Sequence, residues 1–134
     1  RHLREVSQGD PDMCFKYATH LHKHKPNRTA EVIYWADRAL ENRHTWTGNT
    51  HVARVYALHK MRSNAALRGW EIAGKQFAAN PSNEGQKVEE AARIEAKTFS
   101  REWIDYAIQS DRDPSMAQGL CLSASGDKEF CQLR

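Results

Sequence analysis

Between Thr50 and Asn83 the apolar residues return at helical intervals. Val52, Val55, Tyr56 and His59 share one stripe with Ala57 beside it, and Leu67, Trp70, Ile72, Ala73 and Phe77 make a second. Ser63-Asn64 lies between them, and its short polar side chains compete for backbone hydrogen bonds, which predicts a turn. Asn80-Pro81 ends the second stretch, because proline has no N–H to continue a helix. The expectation is two amphipathic helices folded back on each other. Ala57 and Gly69, twelve residues apart, would then face one another and let the helices approach closely.

The same reading extends in both directions. Residues 1–10 are polar and predicted to be a flexible lead-in. Asp10-Pro11-Asp12 then opens a helix, with an N-cap acceptor, a proline where no N–H is needed, and an acid near the positive end of the dipole. Met13, Tyr17, Ala18 and Leu21 form its inner stripe, and Lys25-Pro26-Asn27 ends it. A second helix over 28–42 buries Val32, Ile33, Trp35, Ala36, Ala39 and Leu40. Residues 43–49 form a linker in which Trp46 either faces solvent or plugs a gap. For 84–111, Val88, Ala92, Phe99, Trp103 and Ala107 fit one continuous helix, yet a hairpin broken near Lys97–Ser100, with Ser100 as cap, keeps the direction of the next helix. The hairpin is the preferred expectation.

Proline-based helix starts recur: Asp10-Pro11-Asp12, Asn80-Pro81-Ser82 and Asp113-Pro114-Ser115, separated by 70 and 33 residues. Small residues also recur at twelve-residue spacing, in Ala18–Ala30, Ala57–Gly69 and Gly119–Cys131, the last pair around Gly126-Asp127. Tyr34 follows Ala30 by four. This arrangement resembles the tetratricopeptide repeat, a helical hairpin of about 34 residues. Ala53, Lys60 and Ala73 stand where that family commonly has aromatics. The resemblance implies an all-α, right-handed solenoid of antiparallel hairpins, about seven helices, over residues 11–134. Its approximate repeats are 11–44, 50–83, 84–111 and a truncated 112–134. The chain opens at Arg1 without Met and stops one residue before an aromatic position, so it is expected to be a piece of a longer protein.

Composition supports helix over sheet. The 134 residues are 40% hydrophobic and 28% charged with only four prolines and seven glycines, and no β-alternating run occurs. The longest uncharged stretch, Ser115 to Gly126, is too short and polar to span a bilayer. A net charge of +3 does not demand nucleic acid or membrane. Of three cysteines, Cys121 and Cys131 lie five residues either side of Gly126. They are either a disulfide or two buried thiols. A disulfide would lean the localisation towards an oxidising compartment; otherwise the chain is expected to be cytoplasmic.

Chemistry is sparse. His20 and His24 share a helix face, but His22 points elsewhere and no HExxH motif accompanies them. No metal, cofactor or catalytic residue is therefore expected, and the chain reads as a non-enzyme. By resemblance the function is a protein–protein interaction scaffold, with a concave groove lined by the first helix of each hairpin. Groove candidates are Phe15, Thr19 and His22 from the first hairpin, and His51, Arg54, Leu58, Met61 and Arg62 from the second. The arginines would favour an acidic protein or peptide partner. An RNA-binding helical repeat is the alternative. Against it, Lys23, Lys25, Arg28, Arg38, Arg43, Arg54, Lys60, Arg62 and Arg68 are interleaved with acids, and the pI is 8.9.

Overall fold

The computed structural model describes residues 10–133, so most of the expected flexible lead-in, residues 1–9, lies outside the described residues. The described residues are all-helical, without strands. They form five α-helices rather than about seven: α1 Pro11–His24, α2 Thr29–Glu41, α3 Gly48–Ala79, α4 Asn83–Gln109 and α5 Ser115–Ser125, with a 3-10 turn at Arg43–Thr45.

The helix starts follow the capping chemistry. Asp10 accepts from the Asp12 N–H at 3.0 Å, with Pro11 in the first helical position. Ser82 accepts from the Gly85 N–H at 2.9 Å and opens α4. Ahead of α5, Asp113 accepts from both the N–H and the hydroxyl of Ser115, at 2.9 and 2.6 Å. That helix ends at Gly126, whose φ of 65° suits a residue without Cβ.

The two middle segments differ from expectation. No turn occurs at Ser63-Asn64: α3 runs unbroken for 32 residues, roughly 48 Å at helical rise. The reason is packing. Asn64 donates its amide to the Lys60 carbonyl at 2.9 Å within the helix, and Ser63 is small enough to be buried against the neighbouring helices. Gly69 and Ala57 therefore share one helix and do not face each other; a Cβ at Gly69 would instead lie 3.4 Å from the Thr29 hydroxyl. Residues 84–111 likewise contain no hairpin. Ser100 donates to the Lys97 carbonyl at 3.0 Å instead of capping a new helix, so α4 continues for 27 residues. The expected repeats 50–83 and 84–111 are thus one long hairpin, α3–α4, and only 11–44 folds as its own.

Packing follows chain order. Each helix rests chiefly on the next, while α1 and α3, and α3 and α5, touch over short stretches. One core joins α1 and α2 to the first half of α3 through Cys14, Leu21, Val32, Trp35, Val55 and Leu58. A second joins the last half of α4 to α5 and the tail through Trp103, Ile104, Leu120, Cys121 and Cys131. Ala66, Ala96 and Ala124 form a third, small cluster of α3, α4 and α5. Between Ala73 and Ala96 no residue is buried, so the closed end of the α3–α4 hairpin stands clear of the core as an arm. Val88 and Ile94 on it are 56% and 50% exposed.

The C-terminal tail is held by two devices. Cys121 and Cys131 form a disulfide, with Cα atoms 6.0 Å apart. Arg101, nearly buried, donates to the carbonyls of Phe130 and Gln132 at 2.8 Å each and pairs with Asp105 at 2.6 Å. A cation surrounded by these acceptors loses little on leaving water.

Candidate functional site

The sequence-derived groove residues do not come together. Leu58 and Met61 are core residues, 0% and 5% exposed, packed under α1 and α2 and closed to any partner. Arg54 is held by Asp12 at 2.6 Å, its guanidinium 5.2 Å from the ring centre of Phe15 and 5.1 Å from that of Trp46. Trp46 donates its indole N–H to Asp12 at 2.7 Å and meets Phe15 edge-on at 6.0 Å. These two hydrogen bonds, Trp46 first, hold the Asp12 carboxyl below its usual range. Trp46 is therefore a plug for the turn into α3, and Phe15 and Arg54 serve it. Thr19 is exposed and donates to the Phe15 carbonyl at 2.8 Å.

His51 and Arg62 line a polar cleft of about 600 Å³ between α2, α3 and α4. Arg62 bridges Asp37 at 2.8 Å and Glu102, and lies 4.1 Å above the Phe99 ring. Other carboxylates of the cleft are also matched: Glu41 to Arg38 at 2.5 Å and Asp105 to Arg101. His59 sits against Tyr106, ring centres 5.2 Å apart, with its Nδ1 buried and unpartnered. Burial first, then the charges of Arg62 and Arg43, lower its pKa to about 4, so the imidazole is neutral at pH 7. A cleft whose charges are internally matched ties three helices together and leaves little unsatisfied charge for a ligand.

A second concavity differs. His22 and Pro26 from α1 and its loop, Val32 from α2, Lys60, Asn64, Ala65, Leu67, Arg68 and Glu71 from α3, and Met116 from α5 enclose about 460 Å³. Its floor is apolar and its rim mostly basic. Arg68 donates to Asn27 at 3.0 Å, which fixes the α1–α2 loop as one wall. Met116, 60% exposed, stands at the opposite side on the first turn of α5. Only His22 of the expected groove residues lies here, its pKa lowered by burial and then by Lys60. Lys60, Asn64, Leu67, Arg68 and Glu71 follow the spacing of one helical stripe. That stripe is visible in the sequence only if the helix continues through Ser63.

Other candidate chemistry stays dispersed. The His20 and His24 rings are 4.8 Å apart on the surface, and among the described residues no three His, Cys, Asp or Glu are grouped to hold a metal ion. Cys14 is fully buried, and burial raises its thiol pKa, the wrong direction for a nucleophile at neutral pH. No described helix is long and apolar enough to cross a membrane.

No protein-family model matches the chain, and neither the curated proteins nor the solved structures compared with it give a match.

Proposed function

We propose that this chain is a non-catalytic helical scaffold that binds a protein partner in the groove between α1, α3 and α5. The observation that supports the reading is a groove whose walls come from α1, α3 and α5, with Val32 of α2 buried beneath them. In a solenoid of hairpins the first helix of each pair lines the concave side, and this reading takes α1, α3 and α5 as those first helices. Packing in chain order agrees with such an arrangement. The Cys121–Cys131 disulfide supports placement in an oxidising compartment.

RNA binding is less well supported. The groove lining contains no Phe, Tyr or Trp ring on which a base could stack, only the single imidazole of His22, and Glu71 sits in the rim where phosphates would pass. The test is photo-crosslinking from Met116, replaced by a photoreactive amino acid, in extract of the source cells, with Thr98 on α4 as control site. Crosslinks from position 116 to a polypeptide, absent from position 98, are the expected outcome. Crosslinks to RNA alone, or equal yields from both positions, overturn the proposal.

A further inference from the structure

The groove carries information about what fills it, and the following rests on the protein-binding reading above. We infer that its occupant is an acidic segment of a partner protein bearing one bulky apolar side chain. The rim contains Lys60 and Arg68 against Glu71, and the chain segment around the lining residues His22 and Pro26 adds Lys23, Lys25 and Arg28 against Glu31. Elsewhere on the described surface Arg38, Arg54, Arg62, Arg93 and Arg101 each pair with a carboxylate, while Arg43 donates to the Leu40 carbonyl and Arg112 lies over the Tyr56 ring. Around the groove only Arg28 has an ion pair among the described residues, to Glu31 at 4.0 Å. Lys60 and Arg68 thus project two cations, eight residues apart on one helix stripe, over an apolar floor.

Geometry sets the second requirement. Pro26 and Leu67 offer apolar surface, with Ala65 and Val32 buried beneath them, and Met116 forms a flexible apolar wall. Methionine adapts to the shape of whatever side chain enters, which suits a wall met by a partner. A purely acidic polymer would satisfy the cations but leave this floor wet. An apolar helix without acids would cover the floor but strip water from Lys60 and Arg68 without return. Only a segment with both features fits, and its carboxylates would steer the encounter.

The experiment uses fluorescence anisotropy and a fluorescein-labelled synthetic peptide in which one leucine is flanked by aspartates and glutamates. Companion probes replace that leucine by alanine, exchange the acids for lysines, or are mixed-sequence single-stranded RNA. Binding of the acidic leucine peptide should weaken about tenfold or more in the double variant Lys60→Glu/Arg68→Glu, through loss and reversal of two rim charges. The alanine peptide should bind several-fold more weakly, and Met116→Ser should erase that difference. Lys75→Glu/Lys87→Glu on the arm should change nothing. Should the reversal variant melt early, Lys60→Gln/Arg68→Gln serves in its place, with a smaller loss expected. Lysine peptide or RNA binding as tightly as the acidic peptide overturns the inference, as does affinity indifferent to the rim variants. If the acidic peptide fails while position 116 still crosslinks to a polypeptide, the ligand class alone falls. If both fail, the protein-binding reading falls with it.

Discussion

His59 shows how one side chain can make the fold sensitive to acid. Its imidazole is neutral when folded because burial, and then Arg62 and Arg43, oppose a further positive charge. Above pH 6.5 it is neutral in folded and unfolded chains alike and its contribution to stability is fully present. As pH falls from 6.5 towards about 4, the unfolded chain takes up a proton that the native one refuses, so stability is lost across that window. The full loss is about 3 kcal/mol. Thermal melts between pH 7 and 4.5 should fall more steeply for the native sequence than for His59→Phe, which keeps a ring against Tyr106 and has nothing to titrate. Equal slopes would show that other groups carry the acid sensitivity. Ser63 gives an opposite case. Its hydroxyl is buried without a hydrogen-bond partner, so Ser63→Ala should raise stability by about 1 kcal/mol in denaturant titration. A loss instead would mean that the hydroxyl has a partner, such as a bound water.

At the scale of the element, α3 is the helix from which the others take their places. Gly69 and Gly74 are interior positions of it. A Cβ at Gly69 meets Thr29 at ordinary contact distance, and one at Gly74 meets nothing within 4 Å. Gly69→Ala and Gly74→Ala should each stabilise by about 0.5–1 kcal/mol and combine nearly additively, as read by chemical denaturation. What the sequence reveals about these elements depends on the kind of signal. The start of α1 and the ends around Lys25-Pro26 and Asn80-Pro81 were legible, because proline and Asp caps act through bonds that no distant residue can alter. Ser63-Asn64 and Ser100 misled because their turn preference is worth little beside the burial gained by continuing a helix through a core. The groove suffered from the same error. A turn at Ser63 separates Lys60 from Arg68, and with it the stripe disappears, while Leu58 and Met61 are turned outward on paper. The cysteine pairing was legible as one of two options, and Gly126 supplies the turn that makes it real.

Taken whole, the molecule is closed at one end by a covalent bond and open at the other. The disulfide ties a loop with a sequence separation of 10 residues, and with Arg101 it holds the tail under α4. Opening it with a reductant that spares the rest of the chain should cost about 2–3 kcal/mol and lower the melting temperature measurably. The Cys121→Ser/Cys131→Ser variant should melt at the reduced value and no longer respond to reductant. The other end is the arm. Twenty-two residues, 74–95, separate the last buried position of α3 from the first of α4, so its turn at Asn80–Ser82 lies about two helical turns from the nearest core residue, roughly 10 Å. A backbone that touches so little can be interrupted without being missed. A small folded domain inserted after Pro81 should leave the melting transition of the bundle and the groove intact, whereas the same insertion between α4 and α5 should disturb both. The arm is thus a place where the chain accepts passengers, and a reporter carried there would watch the groove without entering it.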